Sequence, residues 1–269
     1  MYDYHTHHHR CGHAQGNLEE YIQSAIRKGL TEIGLSDHSP IYHLGDDPHP
    51  MPDTAMSQGD LPEYLREANE LKKRYSDQIG VRVGIESDYI LGWEEHYRGL
   101  WQDADLDYVI GSVHWVGDWH IFSKELPPDH TPEELLQGYL LRIRGAAKSG
   151  IYNIMGHIDA LKVWDFIPKR EFVAAYAETL ETIADAGVAI ELNTSGWRKV
   201  CQEQYPSQEI LKEAHRLGIP VTLGSDAHTP DHIASEFDRA LDLLMEIGYT
   251  HLATFEKRRM RAVPISEIA

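Results

Sequence analysis

A chain of 269 residues with 42% hydrophobic and 25% charged residues has the composition of an ordinary soluble globular protein, long enough for one large barrel or two modest domains. Its formal charge of −18 repels long polyanions, and no basic stripe compensates. Nucleic acid is therefore excluded as a partner, whereas a small phosphate drawn in by bound cations is not. No apolar run is long enough to span a bilayer, and the start Met1-Tyr2-Asp3-Tyr4-His5 lacks a signal-peptide pattern, so no membrane partner and a cytoplasmic location are expected.

Strand-like and helix-like segments alternate from end to end, with no composition break, so residues 1–269 read as a single domain. Tyr2–Thr6 forms the first strand. Asn17-Leu18-Glu19-Glu20 opens a helix as a capping box, with Leu18, Tyr21, Ile22, Ala25 and Ile26 on its apolar face and Gly29 as its stop. Glu32–Ser36 is the second strand, and Asp60–Tyr75 the next helix, capped by Asp60 with Pro62 in its first turn. Val81–Ile85 is the third strand, a short helix lies around Trp93–Trp101, and Tyr108–Val113 is the fourth strand. Thr131-Pro132-Glu133-Glu134 starts a helix that runs towards Ser149; Asn153–Gly156 is strand, and Lys169–Ala186 a long helix ended by Gly187. Val188–Asn193, Ser207–Leu217 and Val221–Gly224 give strand, helix and strand, before a last helix over Ser235–Ile247. About seven βα units in this order indicate an α/β fold, a single barrel of parallel strands. The one long irregular segment, Ser39–Gly59, is either a lid or substrate-contact loop over the barrel mouth or a surface insertion. The basic run Lys257-Arg258-Arg259-Met260-Arg261 reads as a solvated face.

Side chains with metal-ligand chemistry sit where these strands end. His5-Thr6-His7, Asp37-His38, Glu86, His114, His157 and Asp226-Ala227-His228 each follow a short apolar run. In a parallel barrel those ends meet at one rim. Residues two apart on a strand share a face, so His5 with His7, and Asp226 with His228, can point inwards together. His9 shares the same phase, which leaves two overlapping pairs open; His8 is out of phase and reads as a bystander, and no rule of spacing places His13. Cys11 and Cys201 are too few for a disulfide framework, and a thiolate at Cys11 suits a structural zinc site better than an oxygen-rich one.

These motifs (His5-x-His7, Ser36-Asp37-His38, Glu86, Gly111-Ser112-Val113-His114, Gly156-His157-Ile158-Asp159 and Gly224-Ser225-Asp226-Ala227-His228) resemble, in order, the polymerase and histidinol phosphatase (PHP) superfamily. Gly-Ser-Val-His, the Glu191-Leu192-Asn193-Thr194-Ser195-Gly196 strand end and Ser-Asp-Ala-His are most similar to the monofunctional histidinol-phosphatases. The resemblance implies a distorted (β/α)7 TIM-like barrel with two or three divalent ions. It implies that His5, His7, Glu86 and Asp226 hold the first, that Glu86 bridges to a second held by His114 and His157, and that His13, His38 and His228 hold a third. It thereby favours His5 and His7 as the pair. Mixed imidazole and carboxylate ligation does not separate zinc, iron and manganese.

The activity so implied is hydrolysis of L-histidinol phosphate, a step of histidine biosynthesis, by a hydroxide activated at a multinuclear centre. Glu86, Asp226, His228 and Asp159 are the expected catalytic set. Asp37 and Asp159 stand beside ligands as candidates to fix a tautomer, and Asp159 or His228 is the candidate acid for the leaving alkoxide. For the substrate phosphate the first choice is Arg198, whose fork grips two oxygens; histidinol-phosphatases also place an arginine after this turn. Lys162 is second, where family members often carry arginine, and Ser112 offers a hydrogen bond. Trp115, Trp119, Tyr89, Asp46 and Glu94 are available for the organic part, with none singled out. Competing readings are a PHP phosphoesterase for another small phosphate ester or nucleotide, and a non-catalytic metal-binding PHP module.

Overall fold

The computed structural model describes residues 1–166 and 169–268. Its strands and helices follow in chain order. First come β1 (Tyr2–Asp3), α1 (Leu18–Arg27), β2 (Glu32–Leu35), α2 (Leu61–Arg74), β3 (Gly80–Val83), β4 (Glu86–Asp88), α3 (Glu94–Gln102) and β5 (Ile110–Ser112). A small hairpin of β6 (Trp115–Val116) and β7 (Trp119–His120) precedes α4 (Pro132–Lys148), β8 (Ile154–Met155), α5 (Lys169–Ala174), α6 (Ala177–Ala186) and β9 (Ala189–Asn193). The chain closes with α7 (Gln208–Arg216), β10 (Val221–Gly224), α8 (Phe237–Ile247), β11 (His251–Glu256) and β12 (Arg259–Pro264).

One parallel sheet has the order β1-β2-β3, another the order β10-β9-β8-β5-β4. Parallel bridges join them at both edges, Thr6 to Ala227 and His38 to Glu86. Backbone bonds run across the same seams: Tyr4 N–H to Leu223 O at 3.1 Å, His7 N–H to Ala227 O at 2.9 Å, and Glu86 N–H to Ser36 O at 3.0 Å. With β3 and β4 as the two halves of one bent strand, seven parallel strands close a distorted TIM-like ring. At the bend Glu86 pairs with Ile110 of β5 while its backbone still meets Ser36 and Ser39 on the β2 side, so it stands between the two sheets.

Local chemistry explains the helix starts. Asn17 with Glu20, and Thr131 with Glu134, form reciprocal capping boxes at α1 and α4. Asp60 makes no such cap: it is already helical, and Ser57 Oγ donates to its carboxylate at 2.6 Å instead. The single helix expected over 169–186 is two, because the chain between them tightens so that the buried Tyr176 hydroxyl reaches Ile158 O at 2.9 Å.

The barrel floor is aromatic. Tyr108 packs edge-on to Tyr4 with ring centroids 5.1 Å apart and donates to Tyr4 O at 2.6 Å. Gly84 exists for this ring, since a Cβ there would lie 2.3 Å from Tyr108 Cζ. The antiparallel β11–β12 hairpin, which the sequence pattern did not announce, covers this end; Phe255 N–H donates to Tyr4 Oη at 3.2 Å. At its turn Arg258 is no solvated residue: it donates to Asn153 Oδ1 at 2.5 Å, Trp101 O at 3.2 Å and Ile151 O. Arg259 and Arg261 are exposed. Among the described residues no helix is long and apolar enough to cross a membrane.

Candidate metal centre

The opposite end of the ring opens into a cavity of about 540 Å3. His38, Glu86, His114, His157, Asp226, His228 and His13 line it, with His5 and His7 buried beneath. Apart from Glu86, which opens β4, and His13, which lies further along the loop after β1, each closely follows a barrel strand, so the strand ends deliver the chemistry to one point. The Ser39–Gly59 loop supplies Ser39, Ile41, Thr54 and Ala55 to the wall, which favours the substrate-contact reading over a mere insertion.

Glu86 is the hub. Its Oε1 lies 3.1 Å from His157 Nε2 and 3.7 Å from His114 Nε2. Its Oε2 lies 2.8 Å from His38 Nδ1, 3.4 Å from His5 Nε2 and 3.5 Å from His7 Nε2. His7 Nε2 also stands 3.2 Å from Asp226 Oδ1. Ligand atoms of four overlapping triads fall within 4.8 Å of one another: His5-Glu86-His157, His5-His7-Asp226, His38-Glu86-His114 and His7-His38-His228. His13 reaches the group through His228, Nε2 to Nε2 at 2.9 Å. These groupings share residues across the three expected ligand sets, placing His7 with His38 and His228 in the position expected of His13. His157 and Asp226 take up left-handed backbone, with φ of 21° and 50°, a conformation that side chains with a Cβ adopt at a cost and that clusters at functional sites.

The donor set fits divalent ions. His5 Nε2, His7 Nε2 and Glu86 Oε2 are buried, converge, and have no hydrogen-bond partner, an expensive arrangement unless a cation takes up the lone pairs. The charges agree. Burial opposes charge on His5 and His7, yet Glu191, Glu86 and Asp226 raise His5 well above the usual imidazole range, and the neighbouring carboxylates of Asp226 and Asp37 push His7 up to about 9. Against the same burial, Asp88 pushes His114 up to about 9. Burial and the neighbouring His7 hold His38 down to about 4 and His228 to about 2. Glu86 and Asp226 stay well below the carboxylate range despite burial, because imidazoles surround them. An ion-free cage keeps protons on its imidazoles to satisfy its carboxylates; cations supply the same charge.

Carboxylates behind the ligands orient them. Asp37 Oδ1 lies 3.4 Å from His7 Nδ1, and His8, buried and facing away from the cavity, contacts the same carboxylate. Asp88 Oδ1 is 2.9 Å from His114 Nδ1, and Glu191 Oε2 is 2.8 Å from His5 Nδ1. Asp88 and Glu191 escaped the sequence reading, although Asp88 shares the phase of Glu86 two residues on, and Glu191 is an acid inside an apolar strand. His9 is exposed beside Gly16 O, so the pair is His5 and His7. Cys11 is buried with its thiol on His8 O at 3.1 Å, burial pushes its ionisation up, and it joins no metal triad among the described residues.

Three of the other expected residues are placed differently. Asp159 is buried outside the cavity lining, accepts from Ser207 N–H at 2.8 Å and pairs with Lys162 at 2.9 Å. It makes no side-chain hydrogen bond to His157 among the described residues and stands off the cavity wall. Lys162 donates to Gln204 O at 2.6 Å and pairs with Glu203 at 2.9 Å, a structural tie that leaves it off the cavity wall. Ser112 is buried and donates to Glu86 Oε1 at 2.5 Å, so it orients the hub instead of a phosphate. Arg198 does line the cavity, with Nη2 donating to Ser225 O at 2.6 Å. His120, Phe122, Tyr205, Lys199 and His232 line it too; His120 comes from the small β6–β7 hairpin and the others from connections between the main elements, where spacing gives no signal. Trp115, Trp119, Tyr89, Asp46 and Glu94 are absent from the wall.

Residues 3–195 match the model of the PHP domain. The chain is 34% identical over 262 residues to a probable histidinol-phosphatase of Deinococcus radiodurans, covering 96% of this chain and 98% of that one. It is 29% identical to the histidinol-phosphatase of Bacillus subtilis, over 89% of this chain and 98% of the relative. Among solved structures it superposes with a TM-score of 0.81 at 28% identity, over 97% and 98% of the two chains, on histidinol phosphate phosphatase from Lactococcus lactis, complexed with zinc, L-histidinol and phosphate.

Proposed function

We propose, from the premise that this chain belongs to the PHP domain family, that it is a metal-dependent phosphatase hydrolysing L-histidinol phosphate to L-histidinol and phosphate, a step of histidine biosynthesis. The observation that carries the reading is Glu86, ringed by five imidazoles in a cavity that Arg198 also lines. Zinc, L-histidinol and phosphate bound together in the Lactococcus lactis relative support it.

His5, His7, Glu86, Asp226, His114 and His157 would hold two ions, and His38, His228 and His13 suit a third. Bound there, divalent ions supply Lewis acidity towards phosphoryl oxygens and make water a nucleophile at neutral pH. The chain's own residues do the rest. Arg198 presents its free guanidinium edge to the phosphate, the task for which a planar fork is suited. Ser112 holds Glu86 in one rotamer, and Asp37 and Asp88 hold the imidazoles of His7 and His114. His228, kept neutral by burial and by His7, serves as a ligand and not as an acid. Asp88, Phe122 and Tyr205 line the same cavity, and a carboxylate with two aromatic rings suits an ammonium and an imidazole.

The test is phosphate release from L-histidinol phosphate beside nucleoside monophosphates and sugar phosphates, before and after chelation and reloading with zinc, iron or manganese. Fastest release from histidinol phosphate, abolished by chelation, is the expected result. Equal or better turnover of a nucleotide overturns the substrate assignment, and chelator-insensitive turnover overturns the metal centre.

A further inference from the structure

Six of the seven ring strands deliver candidate ligands from their ends. The exception is β9, which lies between β8, bearing His157, and β10, bearing Asp226 and His228. What β9 sends inward is Glu191, only 1% exposed. Its two oxygens are spent on its neighbours. Oε2 lies 2.8 Å from His5 Nδ1. Oε1 accepts from the backbone N–H of His157 at 2.7 Å and from Asn193 Nδ2 at 2.9 Å. Asn193 Nδ2 in turn lies 3.3 Å from Asp226 Oδ2. One carboxylate thus touches a ligand's side chain, a second ligand's backbone, and through one amide a third. No lysine or arginine pairs with it among the described residues. The fold makes room for it at Gly224, where a Cβ would stand 2.4 Å from Glu191 Oε2 and 2.7 Å from His5 Cβ.

We propose that Glu191 is a positioning residue of the metal centre, clamping His5 with Nδ1–H towards β9 and Nε2 towards the ions while fixing the backbone turn that presents His157. An imidazole offers a metal only the nitrogen that is not donating, so whichever group accepts from the other nitrogen decides the ligand's tautomer and ring plane. For His5 that group is Glu191. His157 needs a different restraint, because its left-handed backbone is intrinsically unfavourable and its N–H is the handle that holds it. A single rigid strand therefore sets the spacing between a ligand that follows β1 and one that follows β8, and Glu191 itself meets neither substrate nor ion.

The inference rests on the metal-centre reading and is separable from it. Glu191→Gln keeps shape but offers one acceptor where two are needed; Glu191→Asp keeps both acceptors one methylene further back. Wild-type chain and both variants, stripped and then titrated with zinc and with cobalt(II), report affinity and the visible ligand-field spectrum independently of turnover. Loss of an orienting partner of this kind weakens metal binding about 10- to 100-fold. The expectation is therefore a drop of that order for Glu191→Gln, a changed cobalt spectrum, a smaller effect for Glu191→Asp, and unchanged far-ultraviolet circular dichroism. Wild-type affinity and spectrum in Glu191→Gln overturn the proposal, as does a lowered melting temperature with unchanged metal affinity. If neither variant folds and added metal does not restore them, the carboxylate holds the barrel and not the ligands, and the proposal falls. Wild-type chain that takes up no ion removes the metal-centre reading together with it.

Discussion

Replacing Arg198 with alanine separates substrate binding from metal chemistry. One guanidinium nitrogen is committed to Ser225 O at 2.6 Å, leaving the rest of the fork to the cavity. A charge-assisted hydrogen bond contributes about 1.5–3 kcal/mol, and about 1.4 kcal/mol is tenfold in an equilibrium constant. Losing the phosphate contact should therefore raise KM about 10- to 150-fold, with a smaller change in kcat. Ser225 O loses its donor at a cost of about 1 kcal/mol, which in a chain of this size lowers Tm by about 2–4 °C. Arg198 contacts no candidate ligand side chain, so metal content should not change. Arg198→Lys, keeping charge without the fork, should fall between. Steady-state kinetics with L-histidinol phosphate, beside elemental analysis of the purified variants, provides the assay. An unchanged KM in Arg198→Ala would show that the phosphate sits elsewhere and refute the assignment of that wall.

Ser112→Ala removes the donor to Glu86 Oε1 and should lower kcat and metal affinity with KM unchanged; a KM that rises alone would return Ser112 to the phosphate. Gly84→Ala drives a methyl into Tyr108 and should destabilise by about 1–3 kcal/mol in urea unfolding, and wild-type stability would mean that the barrel floor yields. With ions removed by a chelator, His7 and His114, raised to about 9 from about 6.5, contribute stability that is complete below about pH 6.5 and lost as pH rises through about 9. The chelated protein should accordingly melt lower at pH 9 than at pH 6.5, whereas metal affinity should rise over the same window as protons leave the imidazoles. A chelated protein that melts higher at pH 9 contradicts the charge arrangement.

Local rules were legible in the sequence and long-range ones were not. Asn17 and Thr131 announce their helices because a capping box is complete within four residues. The strand-end ligands could be read because a parallel barrel gathers its carboxyl ends whatever the details of packing. Lys162 and Ser112 look like free polar groups until the fold brings Glu203 and Glu86 to them. The break between β3 and β4 was hidden, since Gly84 at the break packs against Tyr108, which comes from the distant segment leading into β5. The closing hairpin was equally silent: Arg259–Ala262 on β12 are exposed, so no alternation marks the strand. Glu191 carried a signal that went unused, an acid between Ile190 and Leu192 in a strand buried along its whole length.

The ring is sealed between its first strand and its last, Thr6 against Ala227. His5 and His7 follow the first ring strand and Asp226 and His228 the last, so a ribosome emits the two imidazoles well before the groups they meet. During synthesis the early imidazoles are without these partners until β10 and the turn after it have emerged. A product cut short before β10 lacks the Asp226 carboxylate that stands beside His7 Nε2, however much of the rest of the barrel it has folded.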